Sequence, residues 1–313
     1  MEQNFEETFL KIFPQPLALA LLRHVNLQQV NEIRLRQARP AIVTLGANSY
    51  FLSENGITNK EADAIVVSKA DIENIVFRAS ECSIYAVNDQ IKQGFLTIEG
   101  GIRIGIAGTA VCEENRVKTI KNFTSLVIRI PHTIKNCSLS AFRYILDKGV
   151  FRNTLIVSPP GAGKTTFLRD FLFQLSSRNI GLSTLVLDER GEISGGTNLE
   201  LLNSNFCDVL SFISKKEGFV FGIRALSPSI VACDELGGEE DLKAIEYAAN
   251  CGVGTIATVH AATVAELLKK PCFEKLLEKK IFERYVVLSS REGPGTFEGV
   301  FDENFSPIFR GEE

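Results

Sequence analysis

One short stretch, residues 158–165, limits what this chain can fold into more than any other part of it. An apolar run, residues 154–157, precedes the stretch, and a helix-forming run, residues 166–170, follows it. Gly161 and Gly163 let the backbone curl so that successive N–H groups point inward at phosphate oxygens. The positive amino-terminal end of the following helix faces the same point, so this order of strand, turn and helix is typical of a phosphate-binding loop.

Two side chains at the end of the turn extend this prediction to ATP and Mg²⁺. Lys164 is placed to reach the β- and γ-phosphates, and the hydroxyl of Thr165 is placed to ligate Mg²⁺. The predicted ATP-binding residues are consecutive: Ser158, Pro159, Pro160, Gly161, Ala162, Gly163, Lys164, Thr165 and Thr166. Ser158 stands where such loops usually have their first glycine, so a Gly/Pro turn that contains a lysine by chance is the alternative. The flanking runs and an acidic strand end downstream favour the phosphate-binding loop.

That acidic strand end is Asp234–Glu235, which follows the apolar run of residues 230–233. Asp234 is expected to hold Mg²⁺, partly through water, and Glu235 is expected to orient or deprotonate the attacking water. A surface acidic pair at a strand end is common and is the alternative for these two residues taken alone. The phosphate-binding loop upstream favours the catalytic role.

Two further strand ends carry polar residues, and ligand sites of α/β proteins gather at such ends. His260 ends the run of residues 254–259, which we expect beside the strand of the loop. It is therefore placed to contact the γ-phosphate or the attacking water, and a hydrogen-bonded structural histidine is the alternative. At the second strand end, Glu189 could assist with water or Mg²⁺. Its neighbours Arg190 and Glu192 could instead make subunit contacts.

Length and composition favour a soluble protein with two domains. The 313 residues can bury two cores, and 45% hydrophobic with 23% charged residues is ordinary for a globular protein. The net charge of −4 argues weakly against a broad nucleic-acid surface. Seven scattered cysteines without a C-x-x-C pair indicate reduced thiols in a cytosolic protein, not a disulfide framework or a zinc site. We expect no signal peptide, and the early apolar runs are too short to span a bilayer, so a membrane role would need a partner.

The chain is predicted to divide into two domains with a bridge between them. Residues 1–135 are expected to form a smaller mixed α/β domain. Residues 136–150 form a linker with one amphipathic helix over residues 139–148. Residues 151–313 form the phosphate-loop domain, in which apolar strands separated by helices predict a parallel sheet covered on both faces.

The first domain has local signals for helices and strands. A capping box at residues 68–71 predicts a helix that runs to about residue 79. A second helix is predicted over residues 84–93, and a glycine-rich hairpin turn over residues 99–101. Alternation and turn residues predict the strands 31–36, 41–45, 95–98, 102–107, 117–120 and 126–130, the last two forming a separate pair.

Arg103 and Arg129 lie on adjacent predicted β segments of the first domain. Hydrolysis at a phosphate loop needs positive charge opposite the γ-phosphate, and a neighbouring domain or subunit often supplies it. Both arginines are candidates for this catalytic role. Because most surface arginines are simply solvated, a solvated side chain is the alternative for each.

Several stretches carry a resemblance to a known class of ring ATPases. They are residues 223–230 with 234–236, residues 255–261, residues 187–190, and, in the first domain, Arg103 with residues 127–131. They resemble four features of the hexameric secretion ATPases of type II and type IV pilus systems. In the same order, these are the arginine-rich approach to the acidic strand, the histidine box, the aspartate box and the interdomain arginines. The resemblance implies a RecA-like ATPase domain in a homo-hexameric ring, with arginines that reach across to ATP. In two departures, Gly237–Gly238 replaces the usual Arg–Asp, and the tetracysteine zinc motif is absent from the sequence.

A closer resemblance covers nearly the whole chain. It is carried by residues 32–36 with 39–40, 83–86, 93–97, 100–108 and 188–193. These stretches are similar to the family of stage III sporulation protein AA, and phosphate-loop proteins in general lack those of the first domain. The resemblance implies a cytoplasmic ATPase in the mother cell of an endospore-forming bacterium. It would act on membrane proteins that form a secretion-like channel to the forespore.

Other functions on the same core stay open at this point. A RecA-like nucleic-acid motor would need a basic path lined by aromatic residues, and the sequence has no such cluster. A nucleotide-dependent assembly scaffold would bind ATP without hydrolysing it. A small-molecule kinase would need a substrate-binding lid, and we recognise none in the sequence.

Overall fold

The computed structural model describes residues 9–46, 48–85, 87–98, 101–114, 116–130, 134–194 and 205–310. The described chain divides into two compact units, residues 9–130 and residues 134–194 with 205–310. Residues 86, 99, 100 and 131, on which parts of the predictions above fall, lie outside the described residues. Within those ranges, each helix is too short or too polar to cross a membrane.

The first unit contains an antiparallel sheet of seven strands in the described residues, in the order β4-β3-β2-β1-β7-β6-β5. The strands are β1 (Val30–Arg36), β2 (Ile42–Leu45), β3 (Asn48–Ser53), β4 (Gly56–Thr58), β5 (Phe95–Ile98), β6 (Ile102–Glu113) and β7 (Arg116–Arg129). The helices are α1 (Gln15–His24), α2 (Lys69–Ala79) and α3 (Asn88–Lys92). Buried apolar side chains of the helices and of one sheet face form a single core.

Alternation along β1 shows how the sequence assigns the two faces of this sheet. Ile33 and Leu35 are fully buried in the core, whereas Glu32, Arg34 and Arg36 lie on the other face. Successive side chains of a strand point to opposite faces, so the predicted strand follows directly from the pattern. The capping box of α2 is also present, with the Ser68 hydroxyl accepting from the Asp71 N–H at 3.1 Å.

Two predicted elements of the first unit differ in the structure. The second helix is only α3, because Val87 has non-helical backbone angles and the N–H of Asn88 closes a turn on the carbonyl of Tyr85. The predicted strand pair near residues 117–130 is the single strand β7 of 14 residues, which pairs with β6 of 12 residues. A bulge accommodates Gly108, where a Cβ would lie 2.8 Å from the carbonyl oxygen of Lys121, so the ladder bends but continues.

The second unit contains an eight-stranded sheet in the described residues, in the order β12-β11-β13-β14-β10-β15-β16-β17. Its strands are β10 (Thr154–Ser158), β11 (Thr184–Asp188), β12 (Cys207–Ser211), β13 (Ile230–Cys233), β14 (Gly254–His260), β15 (Arg284–Ser289), β16 (Thr296–Asp302) and β17 (Pro307–Arg310). Its helices are α4 (Leu139–Ile145), α5 (Lys164–Ser177), α6 (Lys215–Leu226), α7 (Glu239–Asn250), α8 (Val264–Leu267) and α9 (Glu274–Glu278).

The parallel strands of this sheet place their carboxyl ends at one edge. β10, β11, β12, β13, β14 and β15 run parallel, and hydrophobic clusters cover both faces of the sheet. As predicted, the sheet is mainly parallel, but β16 and β17 extend it as antiparallel strands. These later strands follow tight turns, which can join only antiparallel neighbours.

The helix predicted between the domains packs inside the second unit. Ala141, Phe142 and Ile145 of α4 belong to the same buried cluster as the residues of α5. The helix ends at Ile145, earlier than predicted, because Leu146–Asp147 (β8) and Val150–Phe151 (β9) form a small hairpin.

Candidate nucleotide-binding site

The predicted phosphate-binding loop joins β10 to α5. All five residues of β10 are buried, and α5 begins at Lys164. Gly161 and Gly163 have φ angles of 75° and 87°, in the left-handed region that favours glycine. Gly163 also has no room for a side chain, because a Cβ would lie 2.5 Å from the backbone nitrogen of Gly295. The loop thus has the bent backbone in which consecutive N–H groups can surround an anion.

Lys164 occupies the first position of α5 with its side chain almost wholly buried. Its Nζ lies 2.9 Å from Nδ1 and 3.3 Å from Nε2 of His260. Burial lowers the pKa of Lys164, although the carboxylates of Asp234, Glu235 and Glu192 act in the opposite direction. The ammonium group is therefore held beside the loop among groups that offset only part of its desolvation.

Thr165 and Asp234 meet although 69 residues separate them in the sequence. The Thr165 hydroxyl donates to Oδ2 of Asp234 at 2.6 Å. The other carboxylate oxygen of Asp234 accepts from the hydroxyl of Thr258 and from the N–H of Glu235. Because β14 lies between β13 and β10, the end of β13 is close enough to bring this carboxylate to the start of α5.

Glu235 and His260 continue this chain of contacts. Glu235 has a φ of 43°, uncommon for a residue with a side chain, and its backbone N–H also reaches Thr258 Oγ1 at 2.9 Å. Glu235 Oε1 lies 3.1 Å from Nε2 of His260, and Glu235 Oε2 accepts from Arg190 at 3.1 Å. A ring that accepts from Lys164 at Nδ1 and donates to Glu235 at Nε2 satisfies both nitrogens, so His260 links the lysine to the glutamate.

The two carboxylates at the end of β11, those of Asp188 and Glu189, have different partners. Buried Asp188 accepts from three backbone N–H groups, those of residues 192–194, and from the Ser194 hydroxyl, so it shapes the loop. Glu189 lines the same cleft as Asp234 and Glu235. Its Oε2 accepts from Nζ of buried Lys215 at 2.6 Å, which directs Glu189 toward α6.

Arg103 and Arg129 lie opposite each other on β6 and β7 of the first unit. The Arg103 guanidinium stacks over the ring of Phe95, 4.2 Å from its centroid, and Arg129 Nε lies 3.5 Å from a Glu32 oxygen. Arg34 lines the same cleft and donates to Glu32 at 2.6 Å. This cleft therefore carries three arginines, of which Arg34 and Arg129 pair with Glu32.

Comparison with known sequences decides the family. The profile of the family described as "Sporulation stage III, protein AA" matches residues 5–308. The chain belongs to this family. The stage III sporulation protein AA of Bacillus subtilis (strain 168) is 32% identical over 289 residues, which cover 90% of each chain.

Two solved structures similar to this family member are a pilus retraction motor and an ATPase. The pilus retraction motor PilT with bound ADP aligns with a TM-score of 0.58 at 12% identity, over 84% of this chain and 74% of that one. The ATPase DotB of Legionella pneumophila aligns with a TM-score of 0.54 at 14% identity, over 83% and 72% of the two chains. At such identities the likeness shows the fold alone, which is the RecA-like α/β fold with a preceding, separate antiparallel sheet.

Sequence reasoning missed Thr258 and Lys215 of this site, and Arg34 in the first unit. Thr258 supports both Asp234 and Glu235, yet within its apolar run it reads as an ordinary strand residue. Lys215 carries no motif, and only its burial beside Glu189 singles it out. Arg34 could have been found, because the alternation along β1 already places it on the polar face of the sheet.

Thr165 and Asp234, which meet beside the phosphate-binding loop, fit a magnesium ion that arrives with a nucleotide. The Thr165 hydroxyl and the Asp234 carboxylate are hard oxygen donors 2.6 Å apart. Among the described residues, no group of three or more His, Cys, Asp or Glu side chains could hold a metal by itself. Mg²⁺ is usually bound through one or two protein oxygens, waters and substrate phosphates, a role that Thr165 and Asp234 together could fill.

Proposed function

We propose that this protein binds ATP with Mg²⁺ and hydrolyses it. The observation that carries the proposal is the 2.6 Å contact between Thr165 and Asp234, with Lys164, His260 and Glu235 joined to it. A phosphate loop and an acidic strand end, far apart in sequence, thus form one cluster at the carboxyl edge of the sheet. Ligands of open α/β sheets bind at this edge.

Each residue of the cluster has a role that its position supports. The backbone N–H groups of residues 161–166 and the Lys164 ammonium would hold the phosphates, while Thr165 and Asp234 would hold Mg²⁺. When bound, Mg²⁺ supplies positive charge that neutralises the phosphate oxygens. Glu235 would accept a proton from the attacking water or orient it, through a carboxylate lone pair that Arg190 and His260 do not occupy.

Further residues are assigned supporting roles in the same proposal. His260 contacts both Lys164 and Glu235, so it is placed to respond to the γ-phosphate. Glu189 would assist the water or the metal from the neighbouring strand end after leaving Lys215. Arg103 and Arg129 would stabilise the transferring phosphoryl group from the first unit, of the same or of a neighbouring subunit.

The proposal for the cellular role extends from the family and the fold. The protein would work as a cytoplasmic, hexameric secretion-type motor in the mother cell. Domain movement would convert hydrolysis into work on membrane proteins of a sporulation channel. Membership in a sporulation family and a fold shared with secretion and pilus ATPases support this role.

Two substitutions in the purified full-length protein test the proposal. Lys164→Ala should lose ATP binding, because the loop loses its only side-chain cation. Glu235→Gln should bind ATP with wild-type affinity and release phosphate at least about 100-fold more slowly, since a neutral amide cannot take the proton of water. Glu240→Gln, at an exposed position of α7, is the matched control and should behave as wild type. Full turnover by Glu235→Gln would rule out the proposed role.

A scaffold that binds ATP without turnover is the second candidate. It is favoured by one observation, that Arg190 and His260 engage both carboxylate oxygens of Glu235. Ring formation with ATP, measured by sedimentation, but no phosphate release from the wild-type protein would support the scaffold. Phosphate release that exceeds that of Glu235→Gln would exclude it.

A further inference from the structure

The turn between β15 and β16, residues 290–295, lies against the phosphate-binding loop. β15 pairs in parallel with β10, so both strands end at the same edge of the sheet. β16 then returns antiparallel to β15, which fixes the turn at that edge. The carboxyl end of β15 therefore brings a second loop to the flank of residues 159–163, on the side opposite β14 and His260.

The contact between the two loops is made by backbone atoms. The N–H of Gly295 donates to the carbonyl oxygen of Ala162 at 2.8 Å. Ala162 is buried, and a buried carbonyl without a partner would cost free energy. In an anion-binding loop the N–H groups face the anion and the carbonyl groups must face away. The bond to Gly295 holds one of those carbonyl groups in the outward direction.

The close approach also explains why the loop ends in a glycine. A Cβ on Gly163 would lie 2.5 Å from the nitrogen of Gly295 and 2.8 Å from the carbonyl carbon of Pro294. Real Cβ atoms do not approach backbone atoms so closely. Residues 294–295 therefore pack directly on the last residue before Lys164.

Local hydrogen bonds define the shape of the turn. The Thr296 hydroxyl donates to the carbonyl of Gly293 at 2.7 Å and accepts from the N–H of Glu292 at 3.2 Å. Gly293 and Gly295 have φ angles of 121° and 89°, which side chains adopt only with strain. Local hydrogen bonds thus hold the turn in a shape that the two glycines permit.

We infer that residues 290–295 are a positioning element that holds the phosphate-binding loop in its anion-binding shape. The inference rests on the nucleotide binding proposed above and assigns Gly295 as a positioning residue. The turn acts on the backbone that surrounds the β-phosphate, so it affects ATP and ADP alike. It touches neither Glu235 nor His260, so it leaves the cleavage step at saturating ATP unchanged.

Gly295→Ala in the full-length protein tests the inference. The new methyl group would have only an ordinary contact, 3.6 Å from Cβ of Cys137, so the variant acts through the strained φ and the displaced N–H. The dissociation constant of a fluorescent ADP analogue with Mg²⁺ should rise about tenfold, and the KM for ATP should rise in parallel. The kcat should stay within about twofold of wild type.

Gly181→Ala is the matched control. Gly181 has a φ of 78° and open space around its Cα, so the variant carries similar strain away from the loop. It should lower the unfolding temperature about as much as Gly295→Ala while leaving nucleotide affinity unchanged. If Gly295→Ala does not fold, Pro294→Gly loosens the same turn and should raise the dissociation constant about threefold.

The outcomes separate the inference from the proposed function. Wild-type ADP affinity in Gly295→Ala or in Pro294→Gly would overturn the positioning role. An equal loss of affinity in Gly181→Ala would overturn it too, because the effect would then be general destabilisation. A wild-type protein that binds no ADP analogue would overturn the proposed function and this inference with it.

Discussion

The buried ammonium of Lys164 shows, at the scale of one residue, how a binding site works against stability. Its side chain is only 8% exposed, and burial lowers its pKa despite the nearby carboxylates. A charge with incomplete compensation destabilises the folded state, and replacing it by an apolar group of similar length removes that cost. The residue that should matter most for binding phosphate is thus unfavourable for folding.

We therefore expect Lys164→Met to raise the free energy of unfolding of the nucleotide-free protein by about 1 kcal/mol. Urea unfolding at neutral pH measures this change. Lys279→Met, which removes an exposed lysine paired with Glu246, should change stability by less than about 0.5 kcal/mol. A loss of stability in Lys164→Met would mean that its contact with His260 outweighs its burial.

Thr258 is the second residue whose role can be tested alone. Its hydroxyl donates to Asp234 and accepts from the N–H of Glu235. Thr258→Val keeps the shape but leaves both groups without this partner, so it should cost about 1 to 3 kcal/mol of stability and lower ATP turnover. Urea unfolding and phosphate release measure the two effects.

The control for Thr258→Val is Thr154→Val. Thr154 is equally buried, but its hydroxyl donates to the carbonyl of Arg152 at the amino end of β10. This variant should lose stability and keep turnover per folded molecule. Equal turnover losses in the two variants would show that Thr258 has no particular role at the site.

The limits of sequence reasoning are clear at this scale. Lys164 and Asp234 could be predicted because each belongs to a short local pattern next to an apolar strand. Thr258 and Lys215 could not, because their partners come from other strands and helices, and neither has a local signature. Whether Glu189 faces the metal or α6 likewise depends on a lysine 26 residues further along the chain.

At the scale of elements, α5 is anchored to the segment before α4 by one buried carboxylate. Asp170 accepts from the N–H groups of Asn136 and Ser138 at 2.8 Å each, and from the Ser138 hydroxyl at 2.6 Å. Cys137 lies inside this anchor, and burial together with Asp170 raises its pKa to about 12. The thiolate, which is the reactive form, is therefore scarce at pH 8.

Asp170→Asn should release this anchor, since an amide accepts at only one of its two ends. We expect Cys137 to be alkylated about tenfold faster at pH 8, because local opening becomes easier. Mass spectrometry of each cysteine after timed alkylation measures the rate, with exposed Cys272 as the internal reference. Asp89→Asn changes an exposed aspartate and should leave Cys137 protected. Unchanged protection in Asp170→Asn would contradict the anchoring role.

Predicted helices and strands were confirmed where the sequence pattern was local, and they were wrong where pairing with another strand sets the structure. The helix after Ser68 has its cap in the sequence, and the strands before Asp234 and His260 are apolar runs. By contrast, β7 was predicted as two strands, since its middle part is mostly polar and exposed. Pairing with β6 on both sides of the bulge joins the two parts into one strand, and no local signal carries this information.

At the scale of the whole molecule, strand order brings the site together. β10 lies between β14 and β15, so His260 flanks the phosphate loop on one side and the turn of residues 290–295 on the other. The parallel sheet could be predicted from alternating strands and helices, but its order could not, because many orders satisfy the same pattern. The turn beside the loop was missed for this reason.

The central claim is that the phosphate loop and the acidic strand end act as one site for a nucleotide with Mg²⁺. The most direct test is the effect of Mg²⁺ on the affinity for a fluorescent, non-hydrolysable ATP analogue, in the wild-type protein, in Asp234→Asn and in the exposed control Asp208→Asn. We predict that Mg²⁺ tightens binding to the wild type and to Asp208→Asn, and that Asp234→Asn loses about tenfold or more of this gain. An Asp234→Asn protein that responds to Mg²⁺ as the wild type does would contradict the account.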